Sequence, residues 1–147
     1  MEVSKVSDAR ILSLIPHRPP FLWVDKIISL SETVIETEKT IAEDLDVFNG
    51  HYPGNPLMPG VLLCEAIFQS GALLLAESFS DTDNDKIPVL TRITDTRFKR
   101  RVMPGETISI EVKLVDTISS VSILKGKARV GSELAVKTEF CCALIDP

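Results

Sequence analysis

The sequence predicts an α+β fold in which a largely antiparallel sheet wraps one central helix. The main observation is the stretch from Pro59 to Ala76, whose only charged residue is Glu65. A helix that is apolar on every side belongs in a core. Two β-rich segments precede this stretch and four follow it, and a surrounding sheet is the economical way to cover such a helix. With 147 residues, the chain (1–147) fits a single domain.

The N-terminal part of the chain is predicted to hold one helix and two strands. Ser7 can cap a short helix whose apolar face reaches Leu14, and Pro16 ends it. Runs of β-branched and aromatic residues then predict two strands, Phe21–Ser29 and Thr33–Ile41.

A polar linker separates the central helix from the C-terminal strands. The helix is predicted from about Pro59, because proline suits the first helical turn, to about Ser78, and the linker covers Ser80–Lys86. Alternating apolar residues and two turn signals, Pro104-Gly105 and Ser119-Ser120, divide the rest of the chain. The predicted strands are Val89–Arg97, Thr107–Leu114, Ser119–Val130 and Leu134–Ile145.

Composition limits the classes to which the chain can belong. The net charge of −5 argues against nucleic acid as a general partner. Three cysteines, two of them adjacent, do not suit a disulfide framework and predict a reducing cytoplasm. The N-terminus has no basic start followed by an apolar run, so no signal peptide is expected. Glu65 and Gln69 interrupt the apolar stretch, which favours a soluble core helix over membrane insertion.

His51 and Glu65 form a candidate acid/base pair. His51 lies in a loop that prolines and glycines stiffen, Gly50–Gly60, and Glu65 follows on the apolar helix. A carboxylate in so apolar a setting is costly to bury unless it is used. Taken alone, His51 could also be a loop histidine that bonds the backbone.

Three blocks of the sequence belong together: LIPHRPPFLWVD at Leu14–Asp25, GHYPGNPLMPGV at Gly50–Val61 with EAIFQ at Glu65–Gln69, and RFKRRVMPGE at Arg97–Glu106. They resemble the 3-hydroxyacyl-acyl carrier protein dehydratases of type II (dissociated) fatty acid synthesis. The chain departs from that family at Pro19, where an aromatic residue is common, and at Arg101, where proline is common.

The resemblance implies a hotdog fold, in which a curved antiparallel sheet wraps a long central helix. It also implies a homodimer whose sheets join edge to edge, often assembled into trimers of dimers. The implied reaction removes water from a 3-hydroxyacyl chain on the phosphopantetheine arm of acyl carrier protein and gives a trans-2-enoyl thioester. No cofactor is expected for this elimination, and two histidines do not predict a metal site.

In this reaction His51 suits the base that takes the proton next to the thioester carbonyl. Glu65 suits the acid for the departing hydroxyl, directly or through a water, because an apolar environment favours a protonated carboxyl. The N–H groups of Gly60 and Val61 open the helix and are expected to bind the thioester oxygen, at the positive end of the helix dipole. For Gly60 the alternative is a tight turn only.

Gln69 is grouped with the substrate site because it lies one helical turn beyond Glu65. It could orient the carboxylate, or it could be a satisfied buried amide with no further role. His17, next to Arg18, is interpreted as structural.

A basic cluster lies within the third block, at Lys99, Arg100 and Arg101. A solvated strand face would explain these residues. However, acyl carrier proteins are acidic, and a basic rim beside the substrate tunnel would steer them. The cluster is therefore predicted to be the carrier-protein docking site.

Two other functions fit parts of this pattern. A hotdog thioesterase shares the fold and a helix acid but directs water at the thioester carbon, so it would release a free acid. A noncatalytic acyl-binding subunit needs neither His51 nor Glu65, and the presence of both argues against it.

Overall fold

The computed structural model describes residues 9–78 and 86–147. Helix α1 covers residues 9–14, and the long helix α2 runs over Gly60–Ser78. A 3-10 helix, Asp46–Asn49, leads into the loop that carries His51. The strands are β1 Lys26–Leu30, β2 Val34–Thr40, β3 Ile87–Phe98, β4 Thr107–Ile118, β5 Val121–Val130 and β6 Glu133–Ile145.

The strands form one six-stranded sheet in the order β1-β2-β4-β5-β6-β3. Every neighbouring pair is antiparallel, so the predicted antiparallel sheet is confirmed. This order leaves β1 and β3 at the two edges. At 12 residues, β3 is far longer than the five-residue β1.

Helix α2 is the centre of the core, as predicted. It packs against β2, β4, β5, β6 and β3, and Ile67, Leu73 and Leu74 are fully buried. The sheet approaches the helix closely at Gly126, where a methyl group would overlap the Ile67 side chain. By length and composition α2 could cross a membrane, but 67% of its apolar window is buried inside the protein.

The first predicted strand is wrong at its N-terminal end. The sequence predicts a strand from Phe21, whereas β1 begins at Lys26. The Phe21 N–H donates to the Arg18 carbonyl, and the Trp23 N–H donates to the Gln69 side chain. These residues therefore fold onto α2 instead of pairing with a strand, because tertiary contacts outweigh their β propensity.

The other predicted elements agree with the structure to within a few residues. Both turns, at Pro104-Gly105 and Ser119-Ser120, are present. Strand β4 continues beyond the predicted end at Leu114, through a bulge, to Ile118. Most of the predicted linker and the predicted cap Ser7 lie outside the described residues.

Candidate active site

The imidazole of His51 is fixed by its own loop. Its Nδ1 lies 2.7 Å from the Leu57 carbonyl oxygen, and the Leu57 N–H donates to the His51 carbonyl at 3.1 Å. A carbonyl oxygen only accepts, so Nδ1 must carry the proton. In the neutral ring Nε2 is then an unprotonated acceptor, which is the state that a general base requires.

The loop of His51 is tied to the rest of the fold on both sides. The His51 N–H donates to Val47 in the 3-10 helix at 3.0 Å, and the Met58 N–H donates to Val102 at 2.9 Å. The His51 ring stacks on Tyr52 with 4.0 Å between ring centroids. These contacts hold the imidazole in one orientation before any substrate arrives.

The start of α2 presents two backbone donors beside this imidazole. The Pro59 carbonyl accepts from Leu62 at 3.0 Å and from Leu63 at 3.2 Å, which leaves the N–H groups of Gly60 and Val61 as the first donors without a helical acceptor. No acidic residue in the first turn competes for the positive end of the helix dipole. This geometry suits an oxyanion site.

Packing favours a residue without a side chain at the helix start. A side chain at Gly60 would place Cβ 2.7 Å from Cε1 of the Phe98 ring, so the ring lies directly against the backbone. His51, Gly60 and Phe98 line one open cleft of about 620 Å³. Lys99 and Arg101 line the same cleft.

Glu65 lies outside this cleft and belongs to a polar cluster on another face of α2. Gly60 and Leu63, three residues apart, share the face toward His51. Glu65 is two residues beyond Leu63 and therefore points elsewhere. Its Oε2 accepts from the Gln69 side chain at 3.0 Å, and its side chain is 23% exposed. The sequence predicts a wholly apolar setting for Glu65, and this is wrong: the side chain is partly exposed and bonded to a polar neighbour.

Gln69 is the best-defined partner of Glu65. Its Nε2 donates both to Glu65 and to the Phe21 carbonyl, each at 3.0 Å, while its Oε1 accepts from the Trp23 N–H at 2.8 Å. The amide is fully hydrogen-bonded and one of its bonds goes to the Glu65 carboxylate, which is the contact that an orienting role requires. Gln69 is only 1% exposed, so it reaches a substrate through Glu65 rather than by direct contact.

His17 is the residue near Glu65 that the sequence did not identify as part of a site. Its Nε2 lies 3.9 Å from Glu65 Oε2, although 48 residues separate the two along the chain. A histidine-to-carboxylate contact of this kind leaves no signal in sequence periodicity, because the two residues belong to different elements.

The basic cluster divides into two exposed cations and one internal ion pair. Lys99 and Arg101 are exposed. Arg100 donates two hydrogen bonds to the Glu106 carboxylate, at 2.8 and 3.0 Å, and lies 3.3 Å from Glu133. Because carboxylates compensate its charge, Arg100 stabilises the turn before β4, and the accessible positive charge comes from its two neighbours.

The Arg100–Glu106 pair predicts a pH-dependent contribution to stability. Arg100, and then the Met103 N–H, hold the pKa of the Glu106 carboxyl below its ordinary value. A lowered folded-state pKa stabilises the protein above the ordinary glutamate value of about 4.3, and this stabilisation is lost as the pH falls through the folded-state pKa. We expect Glu106→Gln to lower the Tm near neutral pH and to differ less from wild type in acid. Glu133→Gln, at a more exposed carboxylate, is the control and should change the Tm less.

Burial makes Cys64 and Cys142 poor nucleophiles. Burial raises the pKa of the Cys64 thiol. Burial first, and then the nearby Cys141 and Glu65, raise the pKa of Cys142 to about 12. A neutral thiol is a poor nucleophile, so Cys64 packs as a small apolar side chain. Among residues 9–78 and 86–147, no group of three histidine, cysteine or acidic side chains is arranged to hold a metal ion.

Comparison with known proteins identifies the relatives of this chain. A family model described as a FabA-like domain matches residues 15–139. The 3-hydroxyacyl-[acyl-carrier-protein] dehydratase FabZ of Symbiobacterium thermophilum is 38% identical over 92% of this chain and 94% of its own length. The FabZ of Variovorax paradoxus is 39% identical over 92% and 91%.

Solved structures support the same fold. The structure described as the dehydratase heterocomplex ApeI:P from Xenorhabdus doucetiae aligns with a TM-score of 0.78 at 15% identity, covering 93% of this chain and 90% of that chain. Such low identity is evidence for the fold alone. Together with the single sheet wrapped around α2, it confirms the predicted hotdog fold.

Proposed function

Because the chain belongs to the family of FabA-like domains, we propose that it is a 3-hydroxyacyl-acyl carrier protein dehydratase of fatty acid or related acyl-chain biosynthesis. The relatives from Symbiobacterium thermophilum and Variovorax paradoxus are both named 3-hydroxyacyl-[acyl-carrier-protein] dehydratases. The observation in the structure that supports it best is His51, whose Nδ1 is held by the Leu57 carbonyl and whose ring lines the same cleft as Gly60 at the start of α2. The reducing cytoplasm is the compartment that we propose, since all three cysteines are free thiols.

The proposed reaction assigns one step to each group. His51 Nε2 takes the proton from the carbon next to the thioester carbonyl. Negative charge builds on the thioester oxygen, where the N–H groups of Gly60 and Val61 stabilise it. Glu65 gives a proton to the hydroxyl on the next carbon, the carbon–oxygen bond breaks, and water leaves. His51 then loses its proton to solvent and Glu65 regains one, which restores the starting state.

We propose that each active site combines two subunits. Within the described part of one chain, Glu65 is not among the residues that line the cleft of His51. Its side chain leaves α2 on a different face from Gly60 and Leu63, which do line that cleft. A second copy that brings its own Glu65 to this cleft would complete the site. Two-fold symmetry would then generate two identical sites per dimer.

The edge strand β3 supports a dimer that forms by joining sheets. This 12-residue edge carries Leu90, Ile93 and Phe98, which are 41%, 49% and 55% exposed. A long apolar edge strand pairs with another chain unless something protects it. We therefore propose β3-to-β3 pairing for the homodimer, and a trimer of dimers as a further assembly.

Mass analysis of the carrier-bound product tests the function. Purified protein is incubated with 3-hydroxyacyl-acyl carrier proteins of several chain lengths, and the intact carrier protein is weighed. A dehydratase removes one water and leaves the chain attached. Release of the free acid would instead identify a thioesterase, and an unchanged substrate at every length would favour a noncatalytic acyl-binding protein.

The exposed cations beside the cleft predict an effect on carrier-protein substrates. We expect Lys99→Glu combined with Arg101→Glu to raise KM for acyl carrier protein substrates about tenfold, because two attractive surface charges become repulsive. Small thioester analogues should be unaffected, and added salt should narrow the difference. Lys113→Glu combined with Lys125→Glu, which makes the same charge change at exposed lysines that do not line this cleft, is the control. Equal losses on carrier-bound and small substrates would rule out docking at these residues.

A further inference from the structure

We infer that His17 is a positioning residue for Glu65. Together with Gln69, it directs an N–H donor at a single carboxylate oxygen, Oε2, and so reserves Oε1 as the oxygen that carries and delivers the proton. This inference rests on the proposed dehydratase function and adds a residue to the site that performs it.

The first donor, Gln69, has no freedom to turn its amide around. Its Oε1 accepts from the Trp23 N–H, so its Nε2 must be the atom that faces the Phe21 carbonyl and Glu65. Both Nε2 hydrogens are then used. The hydrogen bond to Glu65 Oε2, at 3.0 Å, is therefore always a donation to the carboxylate.

The second donor, His17, has a tautomer that burial selects. Its Nδ1 is buried and has no partner among the described residues. A buried N–H without an acceptor is rarer and more costly than an unpaired acceptor, so the proton is expected on Nε2. That atom is the one that faces Glu65 Oε2, at 3.9 Å. Catalytic contacts of this length commonly shorten when substrate closes the site.

The backbone of His17 is held in place from both sides. Arg18 donates to the carbonyls of Leu12, Ile15 and His17, at 2.8, 2.9 and 2.7 Å, which joins the segment to the end of α1. Gln69 holds the same segment a few residues further on, through Phe21 and Trp23. Hydrogen bonds therefore hold the backbone on both sides of His17, so the contact with Glu65 can shorten only by a movement of the two side chains.

The two oxygens of the carboxyl group are unequal, because Oε2 accepts from Gln69 at 3.0 Å and is also the oxygen that His17 approaches. A proton on Oε2 would compete with these N–H groups for that oxygen, whereas a proton on Oε1 leaves them in place. The acid form of Glu65 is therefore expected to carry its proton on Oε1. Burial, and then Cys141 and Glu65, raise the pKa of Cys142 to about 12, so this thiol stays neutral near neutral pH and adds no charge beside the carboxyl group.

A matched pair of variants tests the role in catalysis. The Gln side chain can place its amide nitrogen where imidazole Nε2 stands, whereas the shorter Asn reaches only the Nδ1 position. We expect His17→Asn to lower kcat about ten- to a hundredfold, the scale of a misplaced catalytic group, with KM changed less than about threefold. His17→Gln should keep kcat within about threefold of wild type, because the donor is retained. Equal loss in both variants, or no loss in either, would overturn the inference.

The tautomer of His17 can be measured without an activity assay. The chain has only two histidines, so ¹⁵N-histidine NMR of the wild-type protein and of His51→Asn assigns both rings. Under conditions where both rings are neutral, His51 should carry its proton on Nδ1 and His17 on Nε2. A proton on Nδ1 of His17 would overturn the positioning role even in a fully active dehydratase. Absence of dehydratase activity in the wild type, with the expected tautomers, would instead refute only the proposed function.

Discussion

Replacing His51 with alanine or Glu65 with glutamine is expected to lower kcat ~100- to 10,000-fold, the usual contribution of a positioned acid or base. Alanine removes the Nε2 base. Glutamine keeps the size of Glu65 but has no acidic proton to transfer to the leaving hydroxyl group. Since the two groups act on one substrate in one reaction, the double variant should be little slower than the worse single variant. Steady-state kinetics on a 3-hydroxyacyl-acyl carrier protein measures all three.

Two further variants separate chemistry from folding. His51→Asn keeps a donor at the Nδ1 position, where the native ring bonds Leu57, and removes only Nε2. It should be as inactive as His51→Ala while unfolding at nearly the wild-type temperature. Cys64→Ala changes the buried neighbour of Glu65 and should keep full activity. A loss of less than about tenfold in a folded His51 or Glu65 variant would remove that residue from the mechanism.

The sequence predicts the central helix and most of the sheet because their signals are local. An apolar run broken only at Glu65 is typical of a buried helix, and alternation along β4 follows the two faces of a strand. The sequence predicts that the first strand begins at Phe21, whereas β1 begins at Lys26. The Trp23 N–H instead donates a hydrogen bond to the side chain of Gln69, 46 residues away. No local pattern encodes that contact.

The candidate site shows the same contrast between local sequence signals and long-range contacts. His51 and the N–H groups of Gly60 and Val61 follow from a stiff loop joined to a helix start, which the motif itself contains. The compensation of Arg100 by Glu106, and the approach of His17 to Glu65, depend on how separate segments pack. Sequence therefore predicts the candidate reacting groups, and structure shows which residues contact them.

Mixing two inactive variants is expected to restore activity if subunits share their sites. Glu65 of the same chain is not among the residues that line the His51 cleft, so we expect each complete site of a dimer to take His51 from one subunit and Glu65 from its partner. Random pairing of His51→Ala with Glu65→Ala makes about half of the dimers mixed. Each mixed dimer would hold one intact site out of two, so about a quarter of wild-type activity should return.

The most direct test is to unfold and refold these two variants together in equal amounts, with native mass spectrometry to prove subunit exchange. If two subunits share each site, the mixture should recover about a quarter of wild-type activity. As a control, wild type refolded with the His51→Ala, Glu65→Ala double variant should fall from about a half to about a quarter of full activity, because no mixed dimer then has a complete site. Activity that stays at the single-variant level in the first mixture, and at about a half in the second, would show that each chain carries its own complete site.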